Sequence, residues 1–293
     1  MGNSLYVPLT SFGNTVTLPA SRGPNFTLPC HVVASLCRVR DAEQESLWQF
    51  RQQDATAFRP QWKPWCSWLD LQDASFPLPP KLPATKANDA NNRDQKTRDD
   101  LTDILDLYQN HETHGMPCHP TVPELLSEVD AFLNGSSSPG DASPCSIVIA
   151  GEGEPLLRLP ALLELLSTLH DKKKMHPALS LRLTTNGLLP SCYHQPENNT
   201  PSIPQQLDEA GLDSISIALQ THDTHQYDEW MQPKTTMAAH HDVCQFIQAA
   251  ATQTGLQVET TAVERATVDR EATEACSQSL GVDAPVRWRS YIP

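Results

Sequence analysis

The sequence Gly-Glu-Gly-Glu-Pro at residues 151–155 has the composition of a ligand-binding turn. It directly follows an apolar run, SIVIA, that is typical of a buried strand. Glycine lets the backbone approach a ligand closely, and a carboxylate beside it can accept hydrogen bonds from an ammonium group. Active sites of parallel barrels gather where such strands end. Turns rich in glycine and proline follow many strands, however, so this turn indicates a site only together with other features.

Three later runs alternate polar and apolar residues, which predicts strands with one polar face. In residues 179–187 the leucines share one face, and residues 213–220 and 256–265 repeat the pattern. The polar positions are Ser180, Arg182, Thr184, Asn186, Ser214, Ser216, Gln220, Gln257, Glu259 and Thr261. If helices cover the apolar face, the polar face lines a barrel lumen. Such a lumen holds either a small-molecule ligand or an internal ion-pair network, for instance Arg182 with Glu259.

Other reactive side chains form weaker patterns. His240-His241 and the pair His222 and His225 have the spacing of metal ligands, but no third convergent ligand accompanies them. Glu154 and Glu259 would support acid–base hydrolysis only at a suitable separation. The sequence contains neither a G-x-S-x-G nucleophile turn nor a phosphate-binding P-loop. We therefore predict no metal site and assign no catalytic residue.

Strands and helices alternate along the chain, which predicts an α/β fold with a parallel sheet. The predicted strands cover residues 5–10, 146–151, 179–187, 213–220, 256–265 and 286–293. The predicted helices cover residues 30–42, 121–134, 157–174, 203–210, 237–254 and 270–280. Six strands with a polar lumen predict a partial (β/α)6 barrel of the TIM type.

Residues 43–120 interrupt this alternation, because they are rich in Gln, Asp, Asn and Pro. We expect them to form a long, largely disordered insertion within a single domain that spans residues 1–293. Four tryptophans, Trp48, Trp62, Trp65 and Trp68, lie in this insertion. They form either an aromatic patch against the barrel or a linear motif that binds a partner.

Composition narrows the class of protein. The 293 residues carry a net charge of -14, and Lys172–Lys174 are their only lysine run. That run follows an apolar segment of helical period and matches the C-terminus of a helix, so nucleic acid is not an expected partner. No signal peptide or membrane span is visible. The eight cysteines contain no CxxC pair, which favours reduced thiols and a cytoplasmic location.

Several segments together resemble one known family. They are GEGEPLLRL at 151–159, TTNGLL at 184–189, residues 212–233, residues 258–282 and VRWRSYIP at 286–293. In order and spacing they resemble the radical SAM proteins that are linked or fused to TatD-type hydrolases. The resemblance implies a partial barrel of the radical SAM kind, S-adenosylmethionine as a cofactor, a [4Fe–4S] cluster, and a TatD-type hydrolase as a candidate partner.

The resemblance also assigns roles to residues of this chain. In that superfamily a Gly-Glu-Pro turn holds the amino group of S-adenosylmethionine, and the matching residues here are Gly153, Glu154 and Pro155. Polar residues at the third and fourth strand ends would face the ribose and carboxylate of the cofactor. The matching positions are Thr185, Asn186, Ser216 and Gln220. By the same resemblance, Val263 and Tyr291 would flank the adenine.

The sequence departs from the family at the iron–sulfur motif. Family members follow the first strand with CxxxCxxC, and an ungapped match places Gly13, Thr17 and Ala20 at those positions. None of these residues can be a thiolate ligand, so reductive cleavage of S-adenosylmethionine has no visible electron source. Cys30 and Cys37 would lie roughly 10 Å apart on an intact helix, too far for one cluster.

Three interpretations follow from this departure. The first is a radical-SAM-like protein that binds S-adenosylmethionine or a nucleoside in the lumen without radical chemistry. The second is an active radical SAM enzyme whose cluster ligands have moved to other cysteines. The third is a non-catalytic interaction module that acts through the insertion at residues 43–120.

Overall fold

A single parallel sheet organises the molecule. The computed structural model describes residues 3–28, 30–53, 120–135, 145–189, 201–233 and 238–293. Its strands are β1 (Asn3–Val7), β2 (Cys145–Ile149), β3 (Leu179–Thr185), β4 (Ser214–Ala218), β5 (Gln257–Glu264) and β6 (Arg287–Ser290). They pair in chain order, and each pair is parallel. Side chains of β1 and β6 line the same cavity, so the sheet curls into a half barrel. The predicted α/β partial barrel is confirmed.

Helices connect the strands. They are α1 (Leu18–Ser21), α2 (Cys30–Gln53), α3 (Val122–Gly135), α4 (Leu159–Lys172), α5 (Ile203–Glu209), α6 (Thr224–Met231), α7 (Ala239–Gln253) and α8 (Arg270–Ser279), with a 3-10 helix at Pro155–Arg158 before α4. All six helices predicted from the sequence are present, whereas α1 and α6 were not predicted. In α6 only Tyr227 and Met231 are buried. Two buried positions are too few to establish a helical period.

The core lies between the convex face of the sheet and the helices. Leu181 and Leu183 of β3 and Ile215 and Ile217 of β4 are fully buried there, as the alternation of these strands predicts. Helix α4 contributes four leucines from one stripe: Leu162, Leu165, Leu166 and Leu169. Because the leucines and isoleucines all point to this side, the polar residues between them must point into the concave side.

Helix α2 is longer than the sequence predicts. It continues past residue 42 to Gln53, so the expected insertion begins later than residue 43. The carboxylate of Glu43 is buried and accepts hydrogen bonds from the backbone N (2.9 Å) and Oγ (2.5 Å) of Ser11. This contact with the segment after β1 holds the helix where its apolar pattern stops. The rest of the predicted insertion, with Trp62, Trp65 and Trp68, lies outside the described residues.

The lysine run has the position that the sequence predicts. Lys172 ends α4, and its Nζ lies 2.6 Å from Oδ1 of Asp130. The Nζ of Lys173 lies 2.7 Å from Oδ1 of Asp213. These ion pairs connect the C-terminal end of α4 to α3 and to the start of β4. Within the described ranges, none of the helices combines the length and the apolar character needed to cross a bilayer.

Candidate functional site

The concave side of the sheet encloses a cavity of about 550 Å³. This size lies within the range of small-molecule sites. Alternate residues of five strands face it: Ser4, Tyr6, Ser146, Val148, Arg182, Thr184, Thr261, Val263, Arg287 and Arg289. The polar lumen expected from strand alternation is therefore present. Val263, expected beside an adenine, is among these lining residues.

The segment after β1 closes the open side of the half barrel. Leu18 and Pro19 of α1, then Phe26 and Leu28, form an apolar wall of the cavity. This segment is fastened to the end of β6, because the backbone N of Ile292 donates to the carbonyl of Arg22 (2.7 Å). The sheet thus supplies most of the polar lining, whereas residues 18–28 add these apolar side chains together with Ser21 and Arg22.

Gln220 lies at the edge of the cavity, just beyond the C-terminal end of β4. It is 4% exposed, and its φ of 64° is in the left-handed region, which is uncommon for residues other than glycine. Its backbone N donates to the carbonyl of Thr261 (3.0 Å) on the neighbouring strand. Of the seven predicted cofactor-binding residues, Gln220 lines the cavity.

An ion-pair network forms the floor of this cavity. Oε1 of Glu259 lies 2.6 Å from a guanidinium nitrogen of Arg182 and 3.3 Å from one of Arg287. The hydroxyl of Ser216 donates to the same oxygen at 2.9 Å. The Arg182–Glu259 pair proposed as an alternative to a ligand therefore forms. A second cavity, of about 460 Å³, lies beside this network and shares Arg182 and Arg287 with the first. Ser216, a predicted site residue, thus belongs to the floor.

The Gly-Glu-Pro turn packs against the segment after β1. The backbone N of Gly153 donates to the carbonyl of Thr10 (3.2 Å), and that of Glu154 to the carbonyl of Phe12 (2.8 Å). A Cβ at position 153 would overlap both carbonyl oxygens. Glycine is therefore required here because another part of the same chain approaches closely. Pro155 begins the 3-10 helix.

The carboxylate of Glu154 is buried and caps that helix. Its Oε1 accepts from the backbone N of Leu156 (3.0 Å) and the hydroxyl of Thr185 (2.6 Å), and its Oε2 accepts from the backbone N of Asn186 (2.8 Å). Burial raises the pKa of Glu154 to about 7, although these three hydrogen bonds favour the ionised form. The predicted residues Glu154, Thr185 and Asn186 are thus brought together, through contacts with one another.

Two residues that sequence reasoning missed complete this cluster. The side-chain amide of Asn186 donates to Oδ1 of Asn14 (2.6 Å) and to Oγ1 of Thr15 (3.1 Å). The amide of Asn14 in turn donates to the carbonyl of Leu188 (3.0 Å). Asn14 and Thr15 are buried. The sequence offers no signal for this contact, since Asn14 and Asn186 are far apart in the chain.

The three lining arginines Arg22, Arg287 and Arg289 were also missed, although two of them carried a signal. Arg287 and Arg289 are two residues apart in the predicted sixth strand, so they share a face. In the register with β5 they stand beside Thr261 and Val263, which line the cavity. Tyr291, expected beside an adenine, stacks instead with Arg265, whose guanidinium lies 5.0 Å from the ring centroid.

Gly13, Thr17 and Ala20, which align with the three cysteines of the cluster motif, lie at and just before the start of α1. Thr17 is the N-cap of α1, and its Oγ1 accepts from the backbone N of Ala20 (3.3 Å). A Cβ on Gly13 would lie 3.8 Å from Cγ2 of Thr17. The three positions are thus neighbours, but none carries a thiolate, and half-buried Cys37 packs with Ala20 in a small apolar cluster. The residues described here do not fit a [4Fe–4S] cluster.

Of the histidines with metal-ligand spacing, His240 has a structural partner. His240 is buried, and its Nε2 lies 2.9 Å from the carbonyl of Thr221. In the part of the chain that the structure describes, no three His, Cys, Asp or Glu side chains come together as metal ligands. Glu154 and Glu259 bind different sets of partners, as described above.

Comparisons with known proteins find likenesses among solved structures. No family model matches the chain, and no curated protein sequence matches it. Among solved structures, the chain is similar to TYW1 with a lysine–pyruvate adduct bound, at 13% identity and a TM-score of 0.39. The match covers 67% of this chain and 53% of that chain, so the chain spans about half the length of that protein. The fold assignment above rests on strand order and pairing, and not on this likeness.

Proposed function

We propose that this chain binds S-adenosylmethionine or a related nucleoside in the half-barrel lumen and does not cleave it by radical chemistry. The observation that carries the proposal is the cavity of about 550 Å³, which is lined by both polar and apolar side chains. A nucleoside combines the same two characters, with an apolar base face and polar sugar hydroxyls. The radical-SAM-like sequence segments make S-adenosylmethionine the first candidate.

Different residues would contact different parts of the ligand. Hydroxyl and amide groups of Thr184, Thr261 and Gln220 face the cavity and can exchange hydrogen bonds with a ribose. Leu18 and Val263 can pack against a base. The network of Glu154, Thr185 and Asn186 would act on the ligand indirectly, because it fixes the segment after β1 that closes the cavity.

Isothermal titration of the full chain with S-adenosylmethionine, S-adenosylhomocysteine and 5′-deoxyadenosine tests the proposal. We expect at least one of them to bind and a Thr184→Trp variant, which fills the lumen, to lose that binding. Thr252→Trp on the exposed face of α7 is the control and should bind normally. No binding by any of the three compounds, or equal binding by Thr184→Trp, would refute the proposal.

Anaerobic reconstitution with iron and sulfide tests the second half of the proposal. Because Gly13, Thr17 and Ala20 supply no thiolate, we expect no visible cluster absorbance and no 5′-deoxyadenosine product. A reconstituted cluster together with reductive cleavage would instead support relocated ligands. The interaction-module interpretation concerns residues 43–120, most of which lie outside the described ranges. The TatD-type partner and the cytoplasmic location stay predictions, to be tested by co-purification and by cell fractionation.

A further inference from the structure

The lumen carries a charge opposite to that of the whole chain. The described residues that line the cavity of about 550 Å³ include four arginines, Arg22, Arg182, Arg287 and Arg289. These lining residues include no Asp or Glu. The chain as a whole has a net charge of -14. Low-dielectric walls concentrate the field of charges within a cleft. The cavity therefore attracts anions, although the chain as a whole is negatively charged.

The carboxylates of the described residues do not balance these arginines. Arg182 and Arg287 share one carboxylate, that of Glu259. Arg22 has neutral partners: its Nε donates to the carbonyl of Ser290 (2.8 Å), and its guanidinium lies over the ring of Phe26. Arg289 makes no hydrogen bond or ion pair with the residues that the structure describes.

Three of these guanidinium groups belong to one corner of the cavity. Arg287 and Arg289 project from the same face of β6, and Arg22 is held against the end of that strand through Ser290. Burial lowers the pKa of Arg289, and the neighbouring charges of Arg287 and Arg22 lower it further, although the charge of Glu259 acts in the opposite direction. An unbalanced charge in such a place costs stability. A bound anion would remove that cost.

We propose that Arg22, Arg287 and Arg289 form a binding site for the anionic group, a carboxylate or a phosphate, of the lumen ligand. This inference rests on the proposed function, since it takes the lumen to be a ligand site. A guanidinium forms paired hydrogen bonds with either group. Arg289, which lacks a partner among the described residues, would make the main contact. Arg22 and Arg287 would add charge from either side.

The test measures thermal unfolding and titration of the full chain with inorganic phosphate and, separately, with succinate. Sodium chloride holds the ionic strength constant, because screening alone would change the result. We expect one anion or both to raise the unfolding temperature of the wild type. A larger effect of phosphate identifies a phosphate ligand, and a larger effect of succinate identifies a carboxylate ligand.

Arg289→Met and Arg38→Met form a matched pair of variants. Both remove one guanidinium, but Arg38 is exposed and pairs with Glu128 (3.1 Å) outside the lumen. We expect Arg289→Met to bind the anion roughly tenfold more weakly or worse, and Arg38→Met to bind it as the wild type does. In anion-free buffer Arg289→Met should unfold at a temperature no lower than that of the wild type, because it loses an unbalanced charge.

Two results would overturn the anion site: neither anion stabilises the wild type, or both Met variants bind the anion equally well. A failure here is distinguishable from a failure of the proposed function. If nucleosides bind the lumen and Arg289→Met leaves their affinity unchanged, only the anion site is refuted. If phosphate or succinate binds through Arg289 but no nucleoside binds, the anion site stands and the nucleoside assignment is wrong.

Discussion

Glu154 is buried and its carboxylate accepts three hydrogen bonds, and these two features shift its pKa in opposite directions. Burial disfavours the carboxylate, whereas Asn186, Thr185 and Leu156 stabilise it, and the pKa in the folded protein is raised from 4.5 to about 7. Its contacts join the end of β2 to the end of β3. A residue expected from sequence to hold a cofactor therefore also controls how these two strand ends meet.

The free energy of unfolding should fall as the pH rises from about 4.5 to about 7. Over this range the folded chain retains a proton on Glu154 that the unfolded chain has released, so alkali favours unfolding. The contribution of Glu154 is at most about 3 kcal/mol. Urea unfolding at several pH values measures it. Glu154→Gln should flatten this part of the curve.

Glu164→Gln is the control for this prediction, because Glu164 is exposed on α4. Its curve should follow that of the wild type. If Glu154→Gln and Glu164→Gln both retain the wild-type slope between pH 4.5 and 7, the buried carboxylate does not carry the proton that we assign to it.

At the scale of elements, the turn after β2 and the segment after β1 fit together through backbone contacts. Gly153 allows the carbonyls of Thr10 and Phe12 to approach, and no side chain would be tolerated between them. The same segment continues through Asn14 and Thr15 to α1 and then to Arg22. It thus runs from the turn after β2 to the end of β6 and closes the open side of the half barrel.

Gly153→Ala should destabilise the fold by about 1 to 3 kcal/mol, because the added methyl group must displace backbone atoms. Gly135→Ala at the end of α3 is a matched control, since nothing lies within 4 Å of its added Cβ. That variant should be neutral or more stable by up to about 1 kcal/mol. Chemical unfolding of both compares the two positions, and equal stabilities would contradict the close packing of the turn.

The strands and most helices could be predicted because their signals are local. Alternation of Leu with Ser, Arg and Thr in β3 identifies both its extent and its polar face. The continuation of α2 to Gln53 lies beyond its apolar pattern, and Glu43 there contacts Ser11, 32 residues away; α1 is only four residues long. Periodicity could therefore not reveal either feature. The closing contact of Arg22 with Ser290 spans 268 residues, and no local pattern encodes it.

For the molecule as a whole, the floor of the lumen joins three strands on the inside of the sheet. Glu259 of β5 contacts Arg182 of β3 and Arg287 of β6, and this network lies next to both cavities. The floor therefore supports the shape of the entire half barrel and, at the same time, limits the depth to which a ligand can enter from the upper side.

Glu259→Gln should lower the free energy of unfolding by about 1 to 3 kcal/mol, because two arginines lose their shared carboxylate within the lumen. Glu264→Gln on the same strand breaks only the exposed pair with Arg270 and should cost less than about 1 kcal/mol. Urea unfolding of the two variants gives the comparison. A smaller loss for Glu259→Gln than for Glu264→Gln would show that the floor does not support the half barrel.

A sheet that stops partway around a barrel keeps two edge strands, here β1 and β6. The open backbone groups of an edge can pair with a strand of another molecule and start aggregation. β6 is four residues long, carries two arginines, and is followed by Ile292, which is covered by the segment around Arg22. The short length of β6, its two charged side chains and the segment that covers Ile292 all act against such pairing. The arginines that face the lumen therefore also protect the molecule from self-association at its open edge.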